Sequence, residues 1–159
     1  GWDFSKAAHK HMAMQYIDEK RPRLVSGSSM CTMFSPLQRM TGWNQEKQRR
    51  WRQDRRHLHF MAQVYQSQAL QGRCFLHEHP ASASSWSIKE ITDVLGLKGV
   101  EVVQGDQCMY GLRRWCKNGR DMAPARKSTK FMSKSAEIRK ELTRRCDGKH
   151  VHQGLAGES

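Results

Sequence analysis

Three groups of residues in this 159-residue chain have the types and spacing to do chemistry. The first is Cys31, in LVSGSSMCTMFSP (residues 24–36), where an apolar run stops at Gly27 and two serines lead to the thiol. A thiol becomes a nucleophile when its pKa is lowered or an adjacent base takes its proton. A loop past a strand, with free backbone amides and basic neighbours, can do the former. The second is Glu78, near the end of the apolar run RCFLHEHP. A carboxyl at a neighbouring strand end, with apolar flanks raising its pKa, can donate a proton to an adjacent substrate atom. Cys31 and Glu78 are the candidate pair. The alternatives are a loop thiol buried among its neighbours, and a surface carboxylate or one paired with Arg73.

The third group is metal-ligating. Four His-x-His pairs occur, His9/His11, His57/His59, His77/His79 and His150/His152. Alternate residues share a face on a strand but point apart on a helix, so the first two pairs, on helical patterns, are poor chelators. CDGKHVH puts Cys146, His150 and His152 within seven residues, and Cys108 or Cys116 can complete a tetrahedral zinc site. A surface tail with coincidental histidines is the other reading. His77 and His79 flank Glu78, where they tune it, touch phosphate or serve the structure.

Net charge is +13 and the pI about 10.0, a field that favours polyanions, nucleic acid first among them. The charge is clustered. EKQRRWRQDRRHLHF carries Arg49, Arg50, Arg52, Arg55 and Arg56 on one helical pattern around Trp51, which can stack on a base or sit in the core. Lys127 and Lys130 open a second basic stretch. The alternative for both is a solvated face. No apolar run approaches the roughly 20 residues of a membrane helix, and the first ten residues lack the apolar core of a signal peptide. Five cysteines at spacings unlike a disulfide framework suit a reducing, intracellular compartment, nuclear or cytoplasmic. The chain does not begin with Met and reads as part of something longer.

The elements that must position these residues alternate. Residues 5–20 read as a helix capped by Ser5, with Ala8, Met12, Tyr16 and Ile17 on one face. RLVSG is a strand and 28–43 a loop. A long helix runs from about Asn44 to Gln71, with Trp51, Leu58, Met61, Ala62, Tyr65 and Ala69 as its apolar stripe, and Gly72 closes it. RCFLHEHP is a second strand. SIKEITDVLGL opens with the capping box Ser87/Glu90, VEVVQ is a third strand, and 105–125 is loop. STKFM is a fourth strand and SAEIRKELTRRC a last helix. This βαβ-like order predicts an α/β three-layer sandwich with a mostly parallel sheet and helices on both faces. Sites in such sheets lie beyond the carboxyl ends of the strands, where both GSSMC and HEHP fall. The domain is expected over 1–146, with 147–159 a flexible tail.

The order of these motifs resembles the later half of the cytosine carbon-5 DNA methyltransferase catalytic domain, especially phage-type and retroelement-borne relatives. That family has a Gly-x-Pro-Pro-Cys-x-x-Phe-Ser loop, to which GSSMCTMFS (Gly27–Ser35) is similar, and a strand ending in Glu-Asn-Val or Glu-Asn-Pro, to which Glu78–Pro80 is similar. GWDF fits the family's Asp-containing strand end, and QCMYG…ARKSTKFM resembles a later segment. The resemblance implies that the three-layer sandwich is Rossmann-like and incomplete at the N-terminus. It implies that Cys31 attacks carbon 6 of a flipped cytosine and Glu78 holds or protonates ring nitrogen 3. It implies that Asp3, with Phe4, contacts the adenine end of S-adenosylmethionine. The chain departs from the family at Ser29 and Met30, where two prolines are expected, and at His79, where Asn is expected. The Gly-rich loop for the methionine end of the cofactor is not among these residues. The expectation is therefore a fragment or degenerate copy with an incomplete cofactor site, inactive as this chain. A non-catalytic nucleic-acid-binding module of a retroelement-like polyprotein is the alternative. A cysteine hydrolase pairing Cys31 with a histidine is a third reading.

Overall fold

The structure is a computed structural model that describes residues 1–40, 42–116 and 119–153. Thr41 of the expected 28–43 loop, residues 117 and 118 of the expected 105–125 loop, and residues 154–159 of the expected tail lie outside the described residues.

The long amphipathic pattern forms helix α3 (Gln45–Leu70), and Asn44 caps it by accepting the Lys47 amide at 2.8 Å. Its predicted stripe is the core. Leu58, Met61, Ala62, Tyr65 and Ala69 are buried, and Trp51 is half-buried. Each fully buried side chain of Leu58's size contributes on the order of 1.5–3 kcal/mol. The stripe packs on β1 (Leu24–Ser28) and β2 (Cys74–Pro80), where Phe75 stacks on Tyr65. Gln68 is fully buried and fastens helix to strand. Its Nε2 donates to Pro22 O and Cys74 O, and its Oε1 accepts from Arg73.

These strands join β3 (Glu101–Asp106) and β6 (Ser128–Ser133) in one sheet of order β1-β2-β6-β3. The strands β1 and β2 are parallel, whereas β6 is antiparallel to both β2 and β3. The fold is thus mixed α/β around a small mixed sheet, which corrects the expectation of a mostly parallel one. The physical reason lies in residues 107–127. An antiparallel return needs no crossover helix, and this segment spends its length on a one-turn helix (Gln107–Tyr110) and the hairpin β4 (Arg113–Trp115) and β5 (Met122–Pro124). The carboxyl ends of β1, β2 and β3 and the start of β6 still meet along one edge.

Smaller elements also differ from expectation. The first helix, α1 (Ala7–Lys20), has Lys6 at its cap position, because Ser5 is bonded to Asp3 instead. Met12 and Tyr16 are exposed, so the expected apolar face of this helix is largely on the surface. The loop after β1 contains a one-turn helix (Thr32–Phe34) and the short α2 (Leu37–Met40). The Ser87/Glu90 capping box does not form, since α4 (Lys89–Leu95) starts later with Ile88 at its cap and Glu90 turns to Arg55 of α3. The last helix, α5 (Ala136–Glu141), is capped by Ser135, which accepts the Ile138 amide. Among the described residues no helix is long and apolar enough to cross a membrane.

Candidate functional site

The register of β1 on β2 sets Ser28 opposite Glu78, and Cys31 follows three residues later. The cysteine loop and Glu78 therefore lie at the same end of neighbouring strands. Gly27, opposite His77, is what lets the helix close over this corner, since a Cβ there would overlap Met61 Cε and the Tyr65 hydroxyl. The loop is anchored one turn past Cys31 by buried Met33 and Phe34, and Ser84 Oγ donates to Phe34 O at 3.2 Å. Cys31 itself is exposed, which removes the buried-thiol alternative. Among the described residues no histidine hydrogen-bonds it.

Glu78 is held by three donors. Ser28 Oγ donates to Oε2 at 2.6 Å, and Gln107 Nε2 and Lys127 Nζ each donate to Oε1 at 3.1 Å. Its side chain keeps 19% of its exposure, enough for one side to reach a ligand. Arg73 is occupied by Gln68 and Gln71 and is not its partner. His77 and His79 point to the other face of β2 and are completely buried. His77 Nδ1 lies 3.1 Å from the Tyr65 hydroxyl, and His79 Nδ1 is bonded to Ser85. Burial, followed by His79, pushes His77 down to about 3, and burial lowers His79 as well. Both rings are neutral packing groups, out of reach of a phosphate.

A second cluster forms beyond the carboxyl end of β3. The chain after α5 returns past Asp106, whose Oδ2 accepts the Cys146 amide at 2.9 Å and Arg145 Nε at 3.1 Å. Cys146 Sγ then lies 3.6 Å from His150 Nε2 and 3.4 Å from His152 Nε2, with the two nitrogens 3.0 Å apart. Cys108 completes the group, and all four ligand atoms lie within 4.8 Å of one another. Cys116, the other cysteine considered, is not in it. Gly148 takes a positive φ of 73°, which turns its amide onto Cys146 Sγ at 3.4 Å. Burial and the Cys146 thiol beside it push Cys108 up. A cation among these atoms reverses that effect by favouring the thiolate. This Cys/His cluster can hold a metal.

The basic residues of α3 form a third group, and Arg56 shares a cleft with Met30 beside Cys31. Arg49, Arg50, Arg52, Arg55 and Arg56 are all exposed. Arg50 is paired with Glu46, and Arg55 lies over the Trp51 ring at 5.4 Å and 3.3 Å from Glu90. Trp51, Arg52, Arg55, Arg56 and Lys10 border a cleft of about 430 Å³. Lys130 lies 5.9 Å from the Trp86 ring centre, and Lys127 is spent on Glu78.

Asp3 and Phe4 border a cleft of about 270 Å³ that Met30 also lines, next to Cys31. Asp3 is lowered by hydrogen bonds from the Ser5 hydroxyl and amide, so its carboxylate is engaged within its own turn. No glycine lines this cleft. An aromatic ring and an acid are present, but a backbone cradle for the methionine end of S-adenosylmethionine is not, and the described residues do not form a complete site for that cofactor.

No family model, curated protein or solved structure matches the chain. Two functional groups escaped sequence reasoning. Ser28 and Gln107, the neutral donors to Glu78, come from segments 50 residues before it and 29 after it. A signal existed in GDQC, where the third strand ends in polar residues and the next turn begins, but its target is set only by strand order.

Proposed function

We propose that this chain is a nucleic-acid-binding domain on a cytosine-5 methyltransferase-like, Rossmann-like scaffold, with Cys31 and Glu78 turned toward a base. The observation that carries the reading is the register that sets Glu78, gripped by Ser28, Gln107 and Lys127, against the strand leading to Cys31. In this reading the exposed arginines of α3 hold phosphates. An extruded pyrimidine meets Cys31 at carbon 6, and Glu78 supports the proton that ring nitrogen 3 takes up when the thiolate adds. The addition is reversible. No methyl transfer is assigned, because the cofactor cradle is incomplete.

The test uses a duplex in which 2-pyrimidinone replaces cytosine. That base lacks the amino group and accepts a thiolate at carbon 6 without a methyl donor. The expected result is a protein–DNA adduct, seen by mass, that is absent in Cys31→Ser while DNA affinity stays unchanged. No adduct, with DNA still bound, removes the base-facing role and leaves the simpler binding module of a retroelement-like polyprotein. No DNA binding at all overturns both.

We also propose that the Cys/His cluster binds zinc. Zinc bonds of about 2.3 Å to sulfur and 2.0–2.1 Å to nitrogen place tetrahedral ligands about 3.3 Å apart for two nitrogens and about 3.6 Å for sulfur and nitrogen. The distances of 3.0, 3.4 and 3.6 Å follow that pattern. Four protein ligands make a closed, structural site. A structural metal also explains how this segment holds its shape. Residues 143–153 form no helix or strand, and Val151 is 86% exposed, so little apolar burial offsets the roughly 1–2 kcal/mol of backbone entropy that each ordered residue loses. Zinc supplies that free energy directly.

A further inference from the structure

Cys108 does more than offer a ligand atom. It is the second residue of the turn Gln107–Tyr110, and Gln107 Nε2 donates both to Glu78 Oε1 and to Thr129 Oγ1, each at 3.1 Å. The Gln107 amide bonds Lys127 O at 3.0 Å, and Lys127 is the other donor to the same Glu78 oxygen. Two of the three donors on Glu78 therefore depend on the turn that carries a metal ligand. On its other side the turn is held by the chain end. The Tyr110 hydroxyl donates to Glu141 O and accepts the Arg144 amide, and the Asp106 amide bonds Arg144 O. Gln107, Tyr110 and Leu142 also border, with Phe131, a cleft of about 420 Å³, so the turn and the chain end share one surface.

We infer that the metal centre controls the Glu78 site, with Gln107 as the positioning residue between them; this rests on the zinc reading above. With zinc on Cys108, Cys146, His150 and His152 the turn is fixed, and one side-chain amide can serve two acceptors at once. That geometry is demanding, because an amide bonded to both Glu78 and Thr129 has no freedom to follow a moving backbone. Without the metal the turn keeps its backbone bond to Lys127 O on one side and, on the other, its hydrogen bonds to an otherwise unburied chain end. Gln107 then lets go of Glu78, while Ser28, on β1, stays. Metal supply thereby sets how firmly the carboxylate is oriented toward a ligand at the carboxyl edge.

The experiment follows side-chain amide signals by NMR in the full chain labelled with nitrogen-15. Zinc content is measured on the same sample before and after chelation. Gln107→Ala identifies the Gln107 signal, and Gln68, bonded to Pro22 O and Cys74 O, serves as the internal control. Expected on chelation is a move of the Gln107 signal to the position of a solvent-exposed glutamine, with at least tenfold faster hydrogen exchange and no change at Gln68. Cys146→Ser should show the same Gln107 signal without chelation. If zinc leaves and the Gln107 signal does not move, the coupling is refuted and the zinc site stands. If the chain takes up no zinc at one per molecule, the zinc reading falls and the coupling with it. If Gln107 and Gln68 change together, the metal supports the fold as a whole and not this contact, which also refutes the inference.

Discussion

The proposed zinc site has a stability consequence that the structure allows to be sized. The ligands tie Cys108 to Cys146, closing a loop of roughly 40 residues, and a rigid cross-link of that span is worth about 4 kcal/mol of loop-closure entropy. Mass action gives a working estimate. At free zinc about a hundredfold above its dissociation constant, the folded state gains about 2.7 kcal/mol. For a domain of this size each kcal/mol moves the melting temperature by roughly 2–4 °C. The expected shift is therefore about 5–10 °C upward, rising with the logarithm of zinc concentration. Differential scanning calorimetry on metal-free protein titrated with zinc measures it. Cys146→Ser should lose most of the increment while its metal-free melting temperature stays close to that of the parent, because Cys146 is only half-buried and its amide, not its thiol, bonds Asp106. A zinc-dependent shift that survives both Cys146→Ser and His152→Ala would place the ion elsewhere. No shift at saturating zinc would refute the site.

Two further outcomes follow from the same structure. Arg52 and Arg56 are exposed and form no ion pair with a carboxylate among the described residues, so Arg52→Ala with Arg56→Ala should lower the salt slope of duplex DNA binding by about 0.9 for each phosphate no longer neutralised; an unchanged slope would remove this helix from the interface. His77 is held near 3 by burial first and His79 second, against about 6.5 when unfolded, so the unfolded chain binds the extra proton and stability falls as pH drops from about 6.5 toward 3. The cost is about 1.4 kcal/mol per pH unit, or about 2 kcal/mol between neutral pH and pH 5, measured by urea unfolding. His77→Gln should flatten that slope, and parallel curves for parent and variant would show that His77 is not its source.

Much of the site is legible in the sequence, and for identifiable reasons. The stripe from Leu58 to Ala69 follows helical periodicity, a local property. Cys146, His150 and His152 converge because a cysteine, a glycine turn and two histidines fall within seven residues. Cys31 and Glu78 both lie where apolar runs give way to polar residues, which is legible locally, but it is the parallel pairing of β1 with β2 that brings the two strand ends side by side. Where expectation failed, a contact between distant segments prevailed over a local preference. Glu90 pairs with Arg55 instead of closing a capping box with Ser87, and Ser5 answers Asp3 instead of capping α1. Met12 and Tyr16 share a helical face as expected, but both stay exposed among the described residues.

By itself, then, the sequence determined which of the longer segments are helix or strand, that the surface is strongly basic, and that a thiol, a carboxylate and a Cys/His triplet stand where chains turn. These are consequences of periodicity, turn chemistry and charge within a few residues of one another. Only the tertiary structure decided that β6 enters antiparallel between β2 and β3, that Cys108 rather than Cys116 joins the histidines, and that Gln107 and Lys127 close on Glu78. Those choices turn on loop closure across tens of residues and on which partner the sheet order brings within hydrogen-bond reach, and local sequence carries no record of either.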